Sequence, residues 1–200
     1  MNDIESNYFT KILIIFPLVA IIILIISFFT PAVNIRIIIG LTPEENLSLK
    51  ITTWGIVEGN LIELIRYFLG SAVDFLFLLT MLFGVSLTIS CIRLAFSIKK
   101  LYLKQENFAI EKKKWLKQGI MIIFHGILII IISNIVFSSI LDIIFETSST
   151  FDIGDYVSYD FGTIGIFIAG GIVLAGVIVG ILLDREGRLG EGEVDFDYDY

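Results

Sequence analysis

Residues 12–29 read ILIIFPLVAIIILIISFF, a run without a charged side chain between Lys11 and Thr30-Pro31. About 20 apolar residues in a helix, rising about 1.5 Å each, cross the hydrocarbon of a bilayer. The run therefore predicts a membrane-spanning helix, stopped by Pro31 and by the restricted residue before it. Pro17 lies near its start, where a missing amide costs little helix. Three more such runs follow: Phe75 to Ile92 between Asp74 and Arg93, Ile120 to Leu141 between Lys117 and Asp142, and Gly162 to Leu183 between Asp160 and Asp184. The whole chain agrees, with 56% hydrophobic residues, 18% charged and a mean hydropathy of +0.90 over 200 residues. That balance is not that of a soluble domain. The predicted fold is an all-α membrane four-helix bundle with a small extracellular antiparallel β-sheet between the first and second spans.

The organisation that follows is a cytoplasmic N-terminus (1–11), a first span (12–30), an outer segment (31–73), a second span (74–92) and a basic loop (93–117). A third span (118–141), an acidic outer loop (142–161), a fourth span (162–183) and an acidic tail (184–200) complete it. The leading MNDIESNYFTK has no basic region and no small-residue cleavage site follows, so the first span is expected to stay uncleaved. Basic residues set the orientation. Arg93, Lys99, Lys100, Lys104, Lys112, Lys113, Lys114 and Lys117 crowd one loop, while 142–161 contains none. The basic loop is therefore expected inside, with both termini on that side and the plasma membrane as the expected location.

The outer segment has its own periods. Val33, Ile35, Ile37 and Ile39 alternate with Asn34, Arg36 and Ile38, and Leu47, Leu49 and Ile51 alternate with Ser48, Lys50 and Thr52. Two period-two stretches around the breaker-rich 40–46 predict a hairpin with one apolar face. Trp54-Gly55-Ile56-Val57 is the expected third strand, since a lone hairpin is marginal. Leu61, Leu64, Ile65 and Phe68, with Glu63 and Arg66 between them, predict a short amphipathic helix. Asn46-Leu-Ser48 is an N-glycosylation triplet on the expected turn. The second outer segment holds Asp142, Glu146, Asp152, Asp155 and Asp160 and reads as a solvated acidic loop that attracts cations. Its FDIGDYVSYD lacks calcium-loop order.

Inside, Leu101, Leu103, Phe108, Ile110 and Trp115 among the lysines suit anionic headgroups, and Trp115 reads as an interfacial anchor. The basic loop is thus the candidate surface for anionic lipid, and its helices are expected to run on beyond the hydrocarbon. The tail, with seven acids against Arg185 and Arg188, reads as unstructured and suited to a basic docking surface.

Chemistry is sparse. One Cys, one His and three Pro exclude a disulfide framework, a Cys-rich zinc site and a Pro-rich segment within the chain. His125 stands without a second histidine, so no metal site and no proton relay is expected. Ser133 and Asn134 are expected to bond across helices, and Cys91 to be a buried thiol. No phosphate loop, nucleophile elbow or dinucleotide fingerprint sits in a supporting context. No catalytic residue, cofactor, metal or nucleic-acid partner is expected. In the last span Gly162, Gly165, Ala169, Gly176 and Gly180 share one face, which Gly170, Gly171 and Ala175 widen; such a face packs closely on another helix, in the bundle or in a second copy.

In order of parts the chain resembles the claudin and peripheral myelin protein superfamily of tetraspan membrane proteins. The resemblance rests on Thr30-Pro31 leaving the first span, the strand with Arg36, the Trp54-Gly55 pair after the strands, and the amphipathic helix before Asp74. The family's fuller outer signature includes a cysteine pair, and this chain has no outer cysteine. The resemblance implies four spans, an outer sheet with Arg36, Trp54 and Gly55 in it, and a non-enzymatic protein acting by lateral assembly or as an accessory subunit. Its partners would be the lipid bilayer and itself or another membrane protein. The alternative is a channel or transporter component with an inter-protomer cation path gathered by Asp152, Asp155 and Asp160.

Overall fold

The computed structural model describes residues 3–37, 47–54, 57–59, 61–70, 72–103, 106–144 and 157–185. They form five helices and four strands: α1 (Asp3–Phe29), β1 (Pro31–Ile37), β2 (Leu47–Thr52), β3 (Val57–Glu58), α2 (Leu61–Leu69), α3 (Ala72–Tyr102), α4 (Phe108–Ile144), β4 (Val157–Tyr159) and α5 (Phe161–Arg185). Four helices are long and apolar enough to cross a membrane, over Tyr8–Phe29, Leu78–Tyr102, Phe108–Ile135 and Phe161–Arg185. These are the helices of an integral membrane protein. They close a ring in the order α1, α3, α4, α5, with α5 packed most extensively on α4 and α1. The basic segment is mostly helix: α3 runs on to Tyr102 and α4 begins at Phe108.

The sheet has four strands in the order β3-β2-β1-β4, every neighbouring pair antiparallel. The expected hairpin is β1 on β2, with Ile35 opposite Leu49 and Arg36 opposite Ser48. Two expectations need correction. The sheet is not drawn only from the segment between the first two spans, because Val157–Tyr159 of the expected acidic loop pairs with Val33–Ile35. Nor is the second face of β1 polar along its length: Asn34 is buried together with Ala32, Val33 and Ile35, and only at Arg36 is the strand exposed among its residues 32–36. Strand β2 keeps the alternation, with Leu49 buried and Lys50 exposed. The third strand enters at Val57–Glu58 and Trp54 lies in the turn before it. After β3, Gly59 (φ 129°) passes so close to β2 that a Cβ would lie 2.0 Å from the Ser48 carbonyl oxygen. Only glycine fits there.

The amphipathic helix is α2. Leu61 is buried while Glu63 and Arg66 are exposed, as its period requires. Gly70, at φ 52°, ends it by donating its amide to the Arg66 carbonyl at 3.0 Å.

Candidate functional site

At the sheet end, β1 is fastened to the start of α5. The backbone amide of Asp160 donates to the Ala32 carbonyl at 3.2 Å, and the Thr163 hydroxyl donates to the same oxygen at 2.8 Å. Amides of Thr163 and Ile164 bond the Asp160 carbonyl, so Asp160 opens the helix. A Cβ on Gly162 would lie 2.7 Å from the Pro31 carbonyl and 2.8 Å from the Ala32 backbone, so strand and helix touch main chain to main chain. Trp54 clamps the other side. Its ring meets Phe28 of α1 edge-on at 5.9 Å, and Gly84 of α3 makes room for it: a Cβ there would lie 2.8 Å from the Thr53 carbonyl.

The small-residue face of α5 is used inside the chain. Gly165 sits against Ser27, Gly176 against Phe16 and Gly180 against the Phe108 ring, while Ala169 is fully buried. On the α4 side, Gly119 and Gly126 face Leu174 and Phe167, and Gly170 faces Ile123. Close approach of backbones is how helices gain contact when lipid is as apolar as their side chains. Gly171 differs: it is exposed and a Cβ would meet nothing within 4 Å.

Midway between α3 and α4 lies His125. Its Nδ1 is 2.6 Å from the Met121 carbonyl, which can only accept, so Nδ1 donates and Nε2 pairs with the Ser86 hydroxyl at 2.8 Å. Both ring nitrogens are thus engaged, and Phe83 closes the ring face edge-on at 5.9 Å. Ser90 turns back to the Ser86 carbonyl at 3.2 Å. Cys91 is buried. The Asn134 amide bonds the Ile130 carbonyl of its own helix at 3.0 Å, contrary to the expected interhelical bond. Ser133 also bonds Ile130, and reaches the Tyr159 hydroxyl of β4 at 3.2 Å.

The basic end holds a buried carboxylate. Glu111 is fully buried, accepting from the Ser97 hydroxyl of α3 and from Lys114 at 2.7 Å. The Trp115 indole donates to Ser97 at 2.5 Å, and Trp115 is itself fully buried against Phe108. This corrects the expected anchor: Trp115 faces the bundle core, where its N–H finds a partner, rather than the lipid boundary. In the turn between the helices, Glu106 takes Lys100 and Lys114, the latter at 2.5 Å. Hydrogen bonding around it, from Glu111 first and then from Lys100 and Lys114, holds the Glu106 carboxyl at about 2. Lys112 reaches Asp184 of α5 at 3.2 Å. Three carboxylates thereby tie α3, α4 and α5 together.

Of the outer residues, Arg36 is exposed on β1 and Trp54 half-buried in its clamp. Gly55, Asn46, Asp152 and Asp155 lie outside the described residues. The helix-packing set is brought together on α5, whereas Asp160 belongs to the sheet joint. Among the described residues no group of three His, Cys, Asp or Glu could hold a metal ion. The chain matches no protein-family model, no curated protein and no solved structure. Glu111, Ser97 and the β4 strand escaped the reading of the sequence. Glu111, Gln118 and His125 recur every seven residues and are all buried, a polar stripe that marks the inner face of α4.

Proposed function

We propose that this is a non-enzymatic tetraspan of claudin-like layout in the plasma membrane, acting by lateral assembly or as an accessory membrane subunit. The observation that carries the reading is the weave of the sheet. Strands from both inter-helix segments close one end of a helix ring whose perimeter is apolar, giving a rigid cap over a lipid-embedded stem. In this reading the sheet is outside, and the basic end, with both termini, is cytoplasmic by the charge rule. The order of parts supports the resemblance to the claudin and peripheral myelin protein superfamily. A structural role suits the polar groups of the bundle: His125 with Ser86, and Ser97 with Glu111 and Trp115, join α3 to α4, while Ser90 and Asn134 bond carbonyls of their own helices.

Since the α5 face is occupied within the chain, lateral contacts would have to form on the outer perimeter. Gly171 is the place to test this, because a cysteine there displaces nothing. Gly171→Cys in a Cys91→Ser background, cross-linked in native membranes, should yield either a ladder of the chain or one stoichiometric membrane partner. Recovery of monomer alone, at positions scanned around α5 and α1, would reject lateral assembly. Conductance across reconstituted bilayers separates the cation-path alternative, which requires Asp152→Asn, Asp155→Asn and Asp160→Asn together to lower cation flux.

A further inference from the structure

The structure divides the cations of the basic end into two sets. Glu106 and Glu111 are taken by Lys100 and Lys114, and Asp184 by Lys112. Lys11, Arg93, Lys99, Lys113, Lys117 and Arg185 are exposed and have no ion pair among the described residues. Each of the four long helices supplies at least one of them.

Helix contacts place these six at one level. Phe16 against Gly176 and Ser27 against Gly165 set the antiparallel register of α1 on α5; Ser86 with His125 and Ser97 with Glu111 set α3 on α4; Lys112 with Asp184 sets α4 on α5. Carried onto the axis of α4 by these registers, the six fall within roughly eight residues, a band about 12 Å deep. Long Lys and Arg stems lie along apolar surface while their heads reach outward, which narrows the band further. The side chains flanking it are exposed and apolar: Ile15, Ile92, Phe96, Leu116, Ile120 and Leu182. Among the described residues of the opposite end, Arg66 is paired with Asp74, while Arg36 and Lys50 are exposed on the sheet and not on the four long helices.

We propose that this collar binds the anionic headgroups of one lipid leaflet, holding a ring of acidic lipid around the bundle. The assignment rests on the membrane reading above. Charge complementarity selects the occupant, for a collar open to lipid on all four helices meets phosphate and carboxylate groups wherever it turns. The paired lysines are spent on the fold, so their removal should not mimic loss of the collar.

The full-length chain is reconstituted into phosphatidylcholine vesicles with or without phosphatidylserine, and lipid retained on mild detergent extraction is counted by mass spectrometry. The wild type should keep phosphatidylserine in preference to phosphatidylcholine. Replacing all six collar residues by Gln should lower that preference at least about fivefold, each surface cation contributing about that factor. Lys100→Gln with Lys112→Gln and Lys114→Gln should leave it near wild type. About 0.5 M salt should erase it in the wild type, a check that needs no variant. Equal retention by wild type and collar variant would overturn the proposal. So would a preference that emerges only when Glu191, Glu193, Asp195, Asp197 and Asp199 are changed to amides, since the acidic tail would then be the occupant. Failure of the wild type to float with either vesicle would overturn the membrane reading, and the collar assignment with it.

Discussion

The two ends of the bundle are held by different physics. At the sheet end the joint is built on main chain: the Ala32 carbonyl takes the Asp160 amide and the Thr163 hydroxyl at the start of α5, and Gly162 lets the strand lie on the helix. At the basic end helices are joined by side chains, with Glu111, Glu106 and Asp184 as hubs for four donors or cations from α3 and α4. The first kind of joint is insensitive to pH and salt and intolerant of volume. The second tolerates volume but depends on charge, and exposed pairs in it weaken with ionic strength.

The contrast can be broken most severely at Gly162. Gly162→Leu has no flexible neighbour to displace, since backbone atoms lie within 3 Å of its Cβ position. It should cost at least about 3 kcal/mol, above the usual overpacking range's middle, and thermal unfolding in detergent or lipid should show a large drop. A drop no larger than that of Gly171→Leu, where nothing lies within 4 Å, would show that the joint does not hold the sheet. Glu111→Ala comes next, at about 2–3 kcal/mol. It takes the acceptor from the Ser97 O–H in the core, though the Ser97 oxygen keeps the Trp115 indole and half-exposed Lys114 keeps Glu106. Glu111→Gln should recover part of that loss, because an amide oxygen still accepts from Ser97; equal losses would mean that packing rather than the hydrogen bond is at stake.

Acid should separate the ends without mutation. The Glu106 carboxyl titrates near about 2 in the fold against an ordinary 4.5, so the unfolded chain takes up its proton first. The contribution is therefore present above about 4.5 and is lost as pH falls toward about 2. Stability measured through that window should decline, and Glu106→Gln should flatten the decline; an unchanged slope would remove Glu106 as its cause. Smallest of all is Lys112→Gln. Its pair with Asp184 is partly exposed, and the expected change is no more than about 0.5 kcal/mol.

Legibility also differs between the ends. The hairpin was readable because period two survives in β2, where Leu49 is buried and Lys50 exposed. Strand β4 was not: three residues, Val157 to Tyr159, sit among acids, and their pairing is chosen by β1 rather than by local pattern. Glu111 was hidden for another reason. In a soluble helix the apolar stripe marks the inner face, but in lipid the outer face is apolar too, and the stripe loses its phase. Only polar positions retain it, and among Lys112, Lys113 and Lys114 a glutamate reads as solvated surface. Trp115 was misplaced by the same ambiguity, since an indole suits both an interface and a core that offers it an acceptor.

The sequence by itself determined the number of long apolar helices and the existence of the hairpin. Those follow from run length against bilayer thickness and from local period, which neighbouring residues alone can encode. Tertiary structure alone decided which small residues of α5 meet which helix, that β4 completes the sheet, and which cations are spent on Glu106, Glu111 and Asp184. These depend on partners far apart in the chain, where only the registers of packed helices and strands bring one charge or one backbone to another.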